Sequence, residues 1–188
     1  WEPLRRLAAC IEADDKTFSR QIGQLVNLSN LVDNWLFFQA IGGFDNSNKN
    51  VYYAARNENG NYRGYFIPWD LNISFGAVYA DNKYYAEETL EETGTQVQFE
   101  PGCRAIALDA DHARALAKEK WEDWKEKAFT AEALLEKAQH LQQELTGSGA
   151  MAREMERWTG GNASTDLSLL TEFTKQRMAY MDSMIDGL

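Results

Sequence analysis

At 188 residues, 44% hydrophobic and 12% aromatic with six Trp and eight Tyr, the chain is too apolar to be disordered and long enough for a real core. A net charge of −10 and a pI near 4.7, with no Lys/Arg cluster, exclude a nucleic-acid binder, because nothing would neutralise the phosphates. An acidic protein takes a polyphosphate only with metal ions between the two negative partners.

The opening "WEPLRRLAACIEA" predicts a short helix with Pro3 at a tolerated early position. No signal peptide precedes it, and these residues read as the inside of a folded unit, so the expectation is a piece of something longer. "DDKTFSRQIGQLV" sets Phe18, Ile22 and Leu25 on one face of a second helix. "SNLVDNWLFFQAIGG" predicts a third, with Ser29 or Asn30 as N-cap and Gly42–Gly43 as the stop. Leu31, Val32, Trp35, Leu36, Phe38 and Ile41 go nearly all round it, which predicts the central buried helix.

"NVYYAAR" and "YRGYFIPWD" flank "NENGN", the pattern of a β-hairpin, with Pro68 at a strand end. From Ala77 to Leu108 the pattern decays, and the stretch is expected to run as a long excursion over the surface. Its acidic run Glu87–Glu92 reads as a solvated face. Helices return in "DHARALAKEKWEDWKEKAF", in "TAEALLEKAQHLQQELTGSG" ending at Gly147, in "MAREMERWTGG" and in a last segment with Leu169, Phe173, Tyr180 and Met184 on one stripe. The fold class expected is α+β: helices before and after one small hairpin. No apolar run approaches the roughly 20 residues that span a bilayer, so no membrane insertion is expected. Cys10 and Cys103 lack CxxC spacing, which argues against zinc and leaves a disulfide open. His112 and His140 have no ligand cluster around them.

The chemistry concentrates between Gly42 and Gly76. Asp45 and Asn50 form D-x-x-x-x-N where the buried helix gives way to a strand, and Asp70 closes the second strand in "PWDLNISFG". Protein kinases need these residue types in this order. One Asp accepts the proton of the substrate hydroxyl, an Asn five residues on holds magnesium, and a second Asp after a hairpin chelates the metals on the phosphates. The ligands are oxygens because magnesium is a hard cation. A hairpin lays its two ends side by side, so residues far apart in sequence converge on one ion. Asn48 and Lys49 lie inside the loop; Lys49 is either a contact to the transferring phosphate or a solvated lysine. Trp69 is expected to pack beneath the metal loop. Phe75–Gly76 either mirrors the Phe-Gly after the metal Asp of conventional kinases or is a plain turn.

The run "LSNLVDNWLFFQAIGGFDNSNKNVYYAARNENGNYRGYFIPWDLNISFG" resembles the CotH family, the atypical protein kinases of spore-coat type. "WEPL" and "DDKTFSRQI" upstream, and "EKWEDW", "REMERW" and "TKQRMAYMDSMI" downstream, extend the resemblance over nearly the whole chain. It implies a protein-kinase-like C-terminal lobe, residues 1–188, with a hairpin between the catalytic and metal loops. It implies ATP as co-substrate, Mg²⁺ or Mn²⁺ as cofactor and Ser/Thr hydroxyls of a secreted or coat protein as acceptors, at the cell surface, spore coat or outside the cell. Carried over residue by residue, Asp45 is the catalytic Asp, and Asn50 and Asp70 are metal ligands. The second Asp of the family's W-D-L-D is Asn72 here, one negative charge fewer beside the metals. Asn72 either ligates through its amide oxygen, as part of the cofactor site with Lys49, or hydrogen-bonds the loop. The glycine-rich loop and the nucleotide-pairing Lys with its Glu partner belong to an N-terminal lobe that this stretch does not include, so weak nucleotide binding or none is expected of it alone. Two other functions fit less of the pattern. One is a non-catalytic adhesin or binding module on the same fold, drawing on the aromatic content. The other is a calcium-stabilised domain, although "DNSNKN" fails the EF-hand pattern because Lys49 falls on a ligand position and Asn50 replaces the glycine.

Overall fold

The computed structural model describes residues 1–47, 49–77, 90, 93–127, 129–158 and 165–188. Helices α1 (Glu2–Glu12), α2 (Asp15–Leu25) and α3 (Leu28–Ile41) lead through a one-turn 3-10 helix, Phe44–Asn46, into the antiparallel hairpin β1 (Val51–Glu58) and β2 (Asn61–Pro68). Helices α4 (Gly102–Ala107), α5 (Ala113–Glu126), α6 (Ala131–Gly147), α7 (Ala150–Arg157) and α8 (Ser168–Asp186) follow. Among the described residues the architecture is α+β, mostly helical around one hairpin, as the apolar spacing predicts.

Helix α3 is the axis. Leu31, Val32, Trp35, Leu36, Phe38, Ala40 and Ile41 are all buried, and α4, α5, α8 and β2 pack around it. A helix that is apolar on every side is stable only when enclosed on every side. Its N-cap is Asn27, whose side chain accepts from Asn30 N–H at 2.9 Å, and not Ser29 or Asn30. Asn30 has another task. Its amide accepts from Phe66 N–H at 2.7 Å and donates to Phe66 O at 3.2 Å, imitating a neighbouring strand along β2. Asn27 N–H also donates to Gly64 O at 2.9 Å, so α3 carries the hairpin by its first turn. The hairpin pairs Val51 with Pro68 through Glu58 with Asn61. Asn59 and Gly60 both take positive φ, as a two-residue primed turn requires.

The described part of the stretch Ala77–Leu108 from Thr93 onward is not the surface excursion that its composition suggests. Residues 78–89 and 91–92, which include most of the acidic run Glu87–Glu92, lie outside the described residues. Beyond them Val97 and Phe99 are buried, and the Gln39 side chain donates to Val97 O at 2.6 Å while accepting from Val97 N–H at 2.8 Å. Helix α4 then buries Ala105 and Ile106. A short alternation and a single glutamine hold this segment inside, too little pattern to stand out in sequence.

Helix α8 also departs from its expected stripe. Phe173, Thr174, Arg177, Met178, Met181 and Ile185 are buried, whereas Leu169, Tyr180 and Met184 sit half-buried at the margins. The buried arginine rotates the face away from the purely apolar pattern. Both thiols, Cys10 and Cys103, are free. Among the described residues, no helix is long and apolar enough to cross a membrane.

Candidate active site

The apolar helix α3 must stop where its partners stop, and Gly42 ends it in the left-handed conformation (φ +62°). Gly42 N–H and Gly43 N–H return to Gln39 O and Phe38 O, which turns the chain into Phe44–Asn46. Asp45 emerges half-buried at the top of that turn, with its side chain 28% exposed. Lys49 Nζ lies 3.0 Å from Asp45 Oδ1, and Asn50 donates its side-chain amide to Asp45 Oδ2 at 2.7 Å. Asp45, Lys49 and Asn50 are therefore one cluster. Asn48 lies outside the described residues.

Asn50 and Asp70 stand at the open end of the hairpin. Beyond the last paired residues, Val51 and Pro68, Trp69 N–H donates to Asn50 O at 2.9 Å. Asp70 is the next residue, held at φ +53°, and Asn50 itself has φ +59°. Two non-glycine residues thus take the left-handed region at this mouth, an uncommon backbone state that Asn and Asp tolerate best. The device that fixes them is Asn46, fully buried, whose amide donates to Asn50 O and Trp69 O at 2.9 Å each. Nothing in the sequence marks Asn46; its burial and its two hydrogen bonds show that it ties the loop to the strand end.

The Asp70 and Asn72 side chains are exposed and make no hydrogen bond or ion pair with the described residues. The hairpin thus brings Asp70 beside Asn50 through the backbone, while its carboxylate does not join the Asp45 cluster. Among the described residues no three His, Cys, Asp or Glu side chains gather into a metal-binding group. Trp69 does not pack under the loop: it is 57% exposed, with its ring against Tyr52 at 5.3 Å between centroids. As the residue paired with Asn50, it lies on the outer face of the hairpin with Tyr52 and Ile67. His112 and His140 join no such group either.

The loop after Asp70 returns to α3. Ser74 Oγ donates to Leu71 O at 2.6 Å, and Phe75 N–H donates to Ile41 O at 2.6 Å. Two side chains of α8 complete the surroundings. Phe173 lies against Gly42 and Gly76, and Arg177 donates to Gln39 O at 2.5 Å with its guanidinium 5.6 Å from the Phe44 ring. Neither was legible as a site residue, because a Phe in an apolar stripe and an Arg on a helix carry no chemical signature.

Chemically, the mouth of the hairpin offers a carboxylate held by an ammonium and an amide, a second carboxylate open to solvent, and the amide oxygens of Asn50 and Asn72. These are hard oxygen donors next to a positive charge, a set suited to a phosphate–cation complex. A search of curated proteins and a search of solved structures each returned no match to this chain. A family model described as CotH kinase protein matches residues 1–181, nearly the whole chain and every residue of the hairpin mouth. The chain belongs to the CotH kinase family.

Proposed function

We propose that residues 1–188 form the C-terminal, catalytic-loop-bearing lobe of a protein kinase that moves the γ-phosphoryl group of ATP to a Ser or Thr hydroxyl of a secreted, cell-surface or spore-coat protein. The observation that carries this reading is the Lys49–Asp45–Asn50 cluster at the mouth of a hairpin whose other strand delivers Asp70.

The donor set fits Mg²⁺ or Mn²⁺. Magnesium takes one or two carboxylates and completes its shell with water and substrate phosphates, so a cage of three carboxylates is not required. Asn50 engages its amide nitrogen with Asp45, which leaves the carbonyl oxygen as the atom for a cation. Asp70 supplies an open carboxylate, and Asn72 a neutral oxygen two residues on. When bound there, such an ion would offset the negative charge of the nucleotide's phosphates.

Asp45 receives the substrate hydroxyl and takes its proton. Both carboxylate oxygens already accept one hydrogen bond, and each retains a second lone pair for that contact. The hydroxyl oxygen bonds to the γ-phosphorus as the bond to the bridging oxygen of ADP breaks, and ADP leaves with the electron pair. Lys49 sits beside Asp45, where its ammonium steadies the carboxylate and faces the charge on the transferred group. Positioning dominates such a reaction, because its transition state is loose and asks little of a base.

The test is phosphotransfer by the full-length protein from radiolabelled ATP, to itself and to a generic acceptor protein, with Mg²⁺ or Mn²⁺. Wild type labels, and both Asp45→Asn and Asp70→Ala lose at least about a hundredfold. Undiminished labelling by Asp70→Ala overturns the assignment.

A further inference from the structure

Phe173 is 1% exposed yet stands outside the continuous hydrophobic core that joins Trp35, Trp121, Met178, Met181 and Ile185. Two loops press on it. A Cβ on Gly42 would come within 2.6 Å of Phe173 Cζ, and a Cβ on Gly76 within 2.9 Å of its Cγ and Cδ2. Both glycines take positive φ, +62° and +81°, so each is the residue that lets its backbone press on the ring. Gly42 opens the loop that carries Asp45 and Asn50. Gly76 closes the loop that carries Asp70 and Asn72.

The ring therefore touches both loops, and the helix that carries it is tied down close by. One helical turn further on, Arg177 is fully buried, donates to Gln39 O at 2.5 Å and to Thr95 O at 2.5 Å, and lies 4.7 Å from the Tyr180 ring. The same guanidinium faces Phe44, the residue before Asp45. The Phe75 N–H to Ile41 O bond joins the loops directly beside the ring. Packed interiors transmit a displacement instead of absorbing it, so a change of one ring's volume moves both loops together.

We propose that Phe173 is a positioning residue: wedged between Gly42 and Gly76, it sets the spacing of the Asp45/Asn50 loop against the Asp70/Asn72 loop, and hence the geometry offered to the divalent cation. The cation part rests on the phosphotransfer reading above; the spacing part does not.

Three variants of the full-length protein test this: Phe173→Leu, Phe173→Met and Met181→Ala. Met181 is as buried on the same helix but belongs to the main core. Amide hydrogen exchange in Gly43–Ser47 and Leu71–Gly76 accelerates at least about tenfold in Phe173→Leu, in both loops together, and falls between wild type and Leu for Phe173→Met. Met181→Ala raises exchange in neither loop beyond its global loss of stability. Mn²⁺ titration followed by electron paramagnetic resonance gives a half-saturation about fivefold higher for Phe173→Leu, unchanged for Met181→Ala and intermediate for Phe173→Met. Exchange at the wild-type rate, or acceleration in one loop alone, overturns the proposal. If wild type binds no Mn²⁺ while the two loops still loosen together, the phosphotransfer reading falls and the spacer role stands.

Discussion

Asn50 donates its side-chain amide to Asp45 Oδ2 at 2.7 Å from a backbone held at φ +59°. Side chain and backbone make separate demands at this position, and two substitutions separate them. Asn50→Gly removes the amide and relaxes the backbone; Asn50→Ala removes the amide and keeps a Cβ in the left-handed region, at a cost of about 1 kcal/mol. Both lose phosphotransfer at least about tenfold and shift the Mg²⁺ dependence to higher concentration. Asn50→Ala lowers stability in urea melts by more than Asn50→Gly, since both lose the hydrogen bond and only the alanine keeps the backbone strain. Full activity in Asn50→Gly would show that the amide is a turn device and not part of the chemistry.

Asn46 is the residue on which the mouth of the hairpin depends. It is buried, and its amide serves the carbonyls of Asn50 and Trp69 at once. Removing it leaves two acceptors without that donor, each loss worth roughly 1–3 kcal/mol when buried. Asn46→Ala is expected to lose about 2 kcal/mol in urea unfolding. Asn46→Asp is worse than Asn46→Ala at neutral pH, because it sets a carboxylate against two carbonyl oxygens. If the order of these two variants is reversed, the donor role assigned to Asn46 is wrong.

Apolar periodicity made α3 legible, and with it the hairpin and the positions of Asp45, Asn50 and Asp70, because each rests on local pattern: an all-round apolar helix, an Asn-Gly turn, a strand ending in a carboxylate. What pattern could not give was any role that depends on a distant partner. Asn30 reads as a helix cap and serves as a strand neighbour for Phe66. Val97 and Phe99 read as loop and are buried against Gln39. Arg177 carries no sign of burial in the sequence and is fully buried, its charge distributed over carbonyls and aromatic rings. Trp69 erred in the other direction, an aromatic assumed to be inside that stands 57% exposed. For Asn30, Val97, Phe99 and Arg177 the deciding fact is a contact between segments far apart in the chain.

Asn72 offers a test by addition. It is exposed and makes no hydrogen bond with the described residues, so exchanging amide for carboxylate there costs the fold little. Asn72→Asp adds a charge beside Asp70 and lowers the Mn²⁺ half-saturation about two- to tenfold, an ordinary coupling for one nearby charge. Thermal melts without metal stay within about 1 °C of wild type, and melts with metal rise. Unchanged metal affinity places residue 72 outside the cation's reach.

The last expectation concerns pH and the base on which the hairpin sits. Helix α2 runs from its cap Asp14 to Leu25, and the next residue, Val26, bridges to Gly64 of β2. Asp14 accepts from the Thr17 N–H at 2.9 Å and from the Thr17 hydroxyl at 3.0 Å. The backbone hydrogen bond first, and the hydroxyl second, hold its carboxyl below the ordinary value of 3.8. A carboxyl whose pKa is lowered by folding binds fewer protons in the native state than in the unfolded one. Its stabilisation is therefore present in full above pH 3.8 and is lost as pH falls through the lower native value. The melting temperature of Asp14→Ala lies below wild type at pH 7, and the gap narrows steadily once the pH drops under 3.8. Asp14→Asn keeps the accepting oxygen without the titration, so its deficit at pH 7 is smaller and changes less with pH. A gap of equal size at both ends of that range would mean that the helix is capped by the shape of the side chain and not by its charge.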